Sequence, residues 1–190
     1  MPTLYLILAH LLADFTLQPT KLLKWKMKSW KGTFIHCLIF YGITLLFLFP
    51  YLGKIETWVI LTILSFSHFI LDQTKIKLQE AIGHYQSLFI IDQCLHLLFL
   101  FLAGYWIKWL NIELPQTYFY TSLYKNIELI AYASIAIFIT FTYDLIRFLA
   151  NNHFHPVVPY KPDYHGFTKR VLVFIALYFS FLLYLRAIIA

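Results

Sequence analysis

Apolar residues gather into six long runs separated by short polar stretches. Read as helices, they span about Thr3–Gln18, Thr33–Pro50, Thr57–Gln73, Leu88–Leu110, Lys125–Ala150 and Phe167–Ala190. Pro19 closes the first run, which at 1.5 Å per residue is about 24 Å long, short for a bilayer core of about 30 Å. The expected fold is all-α: a polytopic transmembrane bundle of about six helices, forming one domain over residues 1–190. Polar residues with chemical potential concentrate in 1–110, and 125–190 reads mainly as scaffold.

Between the first two runs lies K-L-L-K-W-K-M-K-S-W-K, Lys21 to Lys31. On a helical projection Lys21, Lys24, Lys28 and Lys31 share one arc, with Leu23, Met27 and Trp30 roughly opposite and Lys26 breaking the pattern. Two readings fit this stretch: an interfacial helix drawn to anionic lipid, or a basic cytoplasmic loop. Thr74–Ser87, with Lys75, Lys77 and His84, reads as a loop, as does the Pro- and His-rich stretch carrying His153, His155 and His165.

Composition supports the membrane assignment. The chain is 61% hydrophobic and only 13% charged, with a mean hydropathy of +0.70, far from an ordinary soluble domain. The formal charge of +6 describes topology rather than a nucleic-acid surface. Eleven of the fifteen Lys and Arg residues fall in or beside the first, third and fifth loops; Lys54, Lys108, Lys125 and Arg186 lie on the other side. The positive-inside rule then puts the basic loops in the cytoplasm and both termini outside. Cys37 and Cys94 both lie in apolar runs and imply neither a disulfide framework nor a thiolate cluster. The first run holds His10 and Asp14, follows no basic segment and lacks a small-residue cleavage site, so it reads as a retained helix.

The chemistry lies in a repeated spacing. His10 and Asp14, His68 and Asp72, and Asp92 and His96 are each four residues apart and so share one helix face. The first and third runs point inward and the fourth outward, and the order of His and Asp reverses with direction. Each His therefore lies deeper than its Asp by about 6 Å. His36, near the start of the second run, falls near the carboxylate level. Charges within membrane helices cost roughly 2.5–3.5 kcal/mol each and mark functional sites. These seven residues read as ligands of a divalent metal, zinc first with iron or manganese as alternatives, in a site for one or two ions. Asp14, Asp72, Asp92 and Lys75 are the candidate catalytic groups, the carboxylates as bases and Lys75 as a contact for an anionic substrate. Gln18, Gln73 and Gln93 lie at the same level as hydrogen-bonding partners, and Asp144 and Arg147 form an i, i+3 pair of their own.

The motifs A-H-L-L-A-D-F-T-L-Q at 9–18, the lone His36, H-F-I-L-D-Q-T-K at 68–75 and D-Q-C-L-H at 92–96 resemble a family of small bacterial and phage integral membrane proteins classed only as a domain of unknown function. That resemblance implies a multi-pass protein of the bacterial cytoplasmic membrane and carries no established activity. In style the H-x3-D signatures are similar to the membrane-bound metal-dependent hydrolases.

Three function classes follow. The first is a metal-dependent hydrolase acting at the cytoplasmic face on a lipid, lipid-linked or phosphoester substrate. The second is a divalent metal-ion transporter or sensor. The third is a membrane subunit of a larger assembly with a structural metal. A diiron oxidase would use E-x-x-H or His-rich ligand sets that the chain lacks. No G-x-S-x-G elbow or P-loop occurs. The expected partners are membrane lipids and the substrate, with no nucleic acid; oligomeric state stays open.

Overall fold

The computed structural model describes residues 1–83, 85–113, 124–143, 147, 166, 168–176 and 178–179. Every regular element among them is helical. In chain order these are α1 (Pro2–Leu11), continued by a π-helical turn over Leu12–Thr16, α2 (Thr20–Lys28), α3 (Trp30–Phe47), α4 (Ile55–Ile82), α5 (Tyr85–Trp109) and α6 (Ile127–Ile137), which runs on through a second π-helical turn, Phe138–Thr142. The chain forms two compact units, Met1–Ser134 and Ile135–Ala190. Within the second, the Arg170 guanidinium donates to the Thr140 carbonyl at 3.1 Å and lies over the Tyr143 ring.

The all-helical expectation holds for the described residues. Three helices, α3, α4 and the Gln86–Trp109 stretch of α5, are long and apolar enough to cross a membrane; Pro2–Thr16 and Ile127–Thr142 are shorter apolar helices. The sixth apolar run is helical over 168–176. Asp144, His153, His155 and His165 lie outside the described residues.

The outward faces of the long helices are apolar: Leu38 and Leu46 on α3, Ile63, Phe66 and Ile70 on α4, and Leu98, Phe101 and Leu102 on α5 are all exposed. A water-soluble domain does not expose apolar surface so continuously. Exposed Trp58, Trp106 and Trp109 lie at one end of this surface and Trp25 and Trp30 at the other, the arrangement of aromatic belts at two membrane–water interfaces.

Helix α4 departs from expectation. It was expected to end at Gln73 and give way to a loop, yet it continues to Ile82. The segment T-K-I-K-L-Q-E-A-I consists largely of good helix formers. Ile76 and Gln79 continue the buried stripe set by Leu64, His68 and Asp72. Gly83, at φ 73°, closes the helix in the left-handed conformation that glycine adopts without strain. At 28 residues and 1.5 Å each, α4 is about 42 Å long and exceeds a bilayer core of about 30 Å. The basic stretch Lys21–Lys31 is likewise structured: α2 occupies most of it, and Ser29, in extended backbone, breaks the chain before α3.

At the end of the bundle away from His10 and Asp14, the Tyr5 hydroxyl donates to the Tyr124 carbonyl at 2.6 Å. The Tyr124 hydroxyl donates to the Phe47 carbonyl, and the two tyrosine rings stack. This pins α1, α3 and the chain leading into α6 together within the first unit.

Candidate functional site

Helices α1, α3, α4 and α5 each place one histidine in the core: His10, His36, His68 and His96, all 3% exposed or less. Four residues further into the bundle, on the same face of each helix, stand Leu6, Phe40, Leu64 and Leu100, again all buried. Four residues the other way stand Asp14, Gly32, Asp72 and Asp92. The core is therefore layered: an apolar plug, four imidazoles, then three carboxylates and a glycine. The order reads forward along α1 and α4 and backward along α3 and α5 because neighbouring helices run in opposite directions.

All seven expected ligand residues meet here. Asp14 Oδ1 lies 3.6 Å from His10 Nδ1, 3.2 Å from His36 Nε2 and 3.5 Å from His68 Nε2. Asp72 Oδ2 lies 3.6 Å from His36 Nε2 and 3.7 Å from His68 Nε2. The two Nε2 atoms are 3.0 Å apart. Two bare lone pairs repel at that distance, so a proton or another cation must sit among these atoms. On α5, His96 Nδ1 donates to its own helix carbonyl at Asp92, 2.8 Å away, and stands 3.4 Å from Asp92 Oδ1. Three overlapping triads offer ligand atoms within 4.8 Å of one another: His10, Asp14 and His68; His36, His68 and Asp72; and Asp72, Asp92 and His96. His68 and Asp72 each belong to two of them.

Hydrogen bonding sets where the lone pairs point. The Gln93 amide nitrogen donates to Asp92 Oδ2 at 3.1 Å, which fixes the orientation of that amide. Its oxygen then faces His10 Nε2 at 3.3 Å, so that ring nitrogen carries the proton and Nδ1 carries the lone pair. His10 Nδ1 has no hydrogen-bond partner and faces Asp14 Oδ1 at 3.6 Å, an oxygen that also meets His36 Nε2 at 3.2 Å. Two acceptors aimed at each other in a dry core define a place for a cation. His96 repeats the logic: Nδ1 is engaged as a donor, leaving a buried Nε2 lone pair without a partner. Asp92 Oδ1 is also buried without a hydrogen bond. Gln18 meets His36 Nδ1 at 3.3 Å. Gln73 donates to Thr33 and ties α4 to α3.

Asp14 sits in the π-helical turn rather than in regular α-helix. Such turns add a residue to one turn and are frequent at functional sites. Here the turn accompanies a carboxylate that meets imidazoles from three helices.

Lys75, expected in a loop as a contact for an anionic substrate, lies in α4, donating to Asp92 Oδ2 at 2.6 Å and lying 3.5 Å from Asp72 Oδ1. Lys26 is the residue the sequence reading missed. Its side chain is 5% exposed, and its ammonium lies 2.5 Å from Asp72 Oδ2. The signal was present: Lys26 is the lysine that leaves the lysine arc of α2, and it shares a buried face with Leu22. Gly32 explains how it arrives. A Cβ there would lie 2.5 Å from the Trp25 carbonyl carbon and 2.8 Å from Lys26 Cα. The missing side chain lets α2 lie directly against α3, and Lys26 fills the gap in the carboxylate layer.

Lysines therefore balance two of the three carboxylates. With neutral imidazoles, three aspartates against two ammonium groups leave one negative charge.

A family profile described as protein of unknown function (DUF3307) matches residues 3–124, well over half of the chain. The chain belongs to the DUF3307 family. The match runs from α1 through α5, so the four histidines, three aspartates and both lysines all lie within the DUF3307 region. It agrees with the resemblance to an uncharacterised family drawn from the motifs. No curated protein and no solved structure matches the chain.

Proposed function

We propose that this DUF3307 protein is an integral membrane, metal-dependent hydrolase acting at the cytoplasmic face on a lipid, lipid-linked or phosphoester substrate. The observation that carries this reading is the set of buried side-chain atoms without hydrogen-bond partners in this layer: His10 Nδ1, 3.6 Å from Asp14 Oδ1, and, on α5, Asp92 Oδ1 and His96 Nε2. Unpaired buried polar atoms are costly and call for a partner. Zinc is the first candidate, with iron or manganese as alternatives. At zinc–ligand distances of about 2.0–2.1 Å the edges of a tetrahedral site are roughly 3.3–3.4 Å. The triangle of His36 Nε2, His68 Nε2 and Asp14 Oδ1, with edges of 3.0, 3.2 and 3.5 Å, brackets that length. The overlapping triads have room for one ion or two.

A bound ion would lower the pKa of water to about 7 and polarise a phosphoryl or carbonyl oxygen. The chain's own residues do the rest. Gln93 and the Asp92 carbonyl hold His10 and His96 with their lone pairs inward. Where the other ligands hold the ion, Asp92 is the preferred general base, because Lys75 and Gln93 fix its Oδ2 and its Oδ1 accepts no hydrogen bond. The layer of Leu6, Phe40, Leu64 and Leu100 seals the site from the opposite side of the membrane.

That layer also weighs against a transporter, which needs a polar route outward. Two lysines inside the cluster weigh against it again, because they repel a passing cation and attract an anionic substrate. About 17 residues separate the start of α4 from Asp72, roughly 26 Å along a helix that crosses a core of about 30 Å. With the basic loops in the cytoplasm, the site opens at the cytoplasmic surface.

The test uses purified protein in liposomes with a trapped metal indicator, alongside a panel of phosphoester and acyl substrates. Turnover that is lost on chelation and restored by one metal, without flux, is the expected result. Flux abolished by Asp92→Ala, with no turnover, would establish the transporter instead. Neither activity would leave a membrane subunit with a structural site.

A further inference from the structure

We propose that Lys26 and Lys75 form a subsite for a phosphate-type oxyanion, which makes a phosphoryl group rather than a neutral acyl group the anchor of the substrate. This rests on the hydrolase reading for its chemistry but not for its geometry.

The two ammonium groups are not distributed as simple neutralisers. Asp14 receives neither. Both reach Asp72, Lys26 on Oδ2 at 2.5 Å and Lys75 on Oδ1 at 3.5 Å, and Lys75 reaches on to Asp92. Two oxygens of one planar anion are thus straddled by two cations from different helices. A phosphoryl group presents the same pair of oxygens and has a third to spare. Lysine binds phosphate as a mobile point charge, well suited to passing from a carboxylate to an arriving anion. Lys75 is also the more accessible of the two, with a side chain 15% exposed against 5% for Lys26. Four further lysines of the same stretch as Lys26, namely Lys21, Lys24, Lys28 and Lys31, are exposed.

Charge makes the subsite conditional. The five charged side chains already sum to one negative charge, and a phosphate dianion alone would deepen it. A divalent cation in the histidine layer removes that cost. By linkage, cation and phosphate then raise each other's affinity by the same factor.

The experiment measures binding of inorganic phosphate to the full chain in phosphatidylcholine nanodiscs, with and without Mn²⁺. A parallel arm places phosphatidic acid in the disc with no free phosphate and follows its ³¹P resonance. Binding is expected in at least one arm, tighter with Mn²⁺. Lys26→Gln or Lys75→Gln should weaken it roughly tenfold to a hundredfold, the effect of losing a charge-assisted hydrogen bond. Lys26→Arg and Lys75→Arg, which keep the charge, should stay within a few-fold of the parent. Lys75→Gln leaves the docking of α2 intact, so its effect is readable even where Lys26→Gln loosens that helix. Dependence on free phosphate points to a soluble substrate, and dependence on phosphatidic acid to a lipid headgroup; both support the subsite. Lysine-dependent binding that ignores Mn²⁺ also supports it, while counting against the metal reading. The proposal is overturned if neither arm shows binding, if Lys26→Gln/Lys75→Gln binds as the parent does, or if Lys24→Gln and Lys28→Gln cause equal losses.

Discussion

Gly32→Ala is the sharpest single perturbation of this structure, because it adds one carbon where no space exists. The new Cβ would meet the Lys26 backbone nitrogen, with the Trp25 carbonyl carbon at 2.5 Å and Lys26 Cα at 2.8 Å. These are backbone atoms, so no side chain can turn aside. Recovering ordinary contact moves α2 outward by about 1 Å, and overpacking of this kind costs about 1–3 kcal/mol. Only Leu22 and Lys26 anchor α2 through buried side chains, so the strain is relieved by loosening that helix rather than the bundle. At 1.36 kcal/mol per factor of ten, the opening equilibrium of α2 rises about 5-fold to 150-fold. Hydrogen exchange by mass spectrometry in nanodiscs should show that acceleration across Thr20–Lys28 while the α4–α5 core keeps its protection. The Lys26–Asp72 pair shifts with the helix, so phosphate binding should weaken in step. Less than a twofold change in α2 exchange would refute the claim that glycine is what admits Lys26 to the site.

Three further outcomes follow from the geometry. His68→Ala and His96→Ala should each abolish stoichiometric metal in the purified protein, whereas His153→Ala should not; unchanged metal content in both core variants would end the metal assignment. Gln93→Leu frees the His10 ring and leaves Asp92 Oδ2 to Lys75 alone, and should weaken metal affinity about 10–100-fold, as loss of an orienting partner does; a competition titration with a chromophoric chelator measures it, and an unchanged affinity would refute the tautomer argument. Single cysteines at Ser29 and Gly53, in a background without Cys37 and Cys94, should label from opposite faces, with Ser29→Cys inaccessible from outside intact cells; external labelling at Ser29 would reverse the topology.

The helical class, the long apolar spans and the meeting of His10, Asp14, His36, His68, Asp72, Asp92 and His96 were legible in the sequence because they rest on local rules. Apolar run length speaks to membrane spans, and a spacing of four puts two side chains on one face whatever the helix later packs against. The reversal of His and Asp on α5 carried long-range information, since it follows from antiparallel neighbours. The apolar layer of Leu6, Phe40, Leu64 and Leu100 obeys the same spacing, but leucine and phenylalanine are too common in such runs to stand out.

What tertiary structure alone decided depends on contacts between distant residues. Lys26 was visibly out of place on α2, yet its partner is 46 positions away at Asp72. The two meet only because Ser29 breaks the helix and Gly32 lets α2 lie against α3. The lone pair on His10 depends on an amide 83 positions away. The extension of α4 through the charged stretch after Gln73 joins good helix formers to Ile76 and Gln79 finding buried positions; polarity along the chain marks that segment as a loop, and packing adds what the polarity hides. Pattern assigned the ligand-bearing faces, because helical periodicity is local, while the neutralising cations and ring orientations came from the close approach of helices that no local pattern encodes.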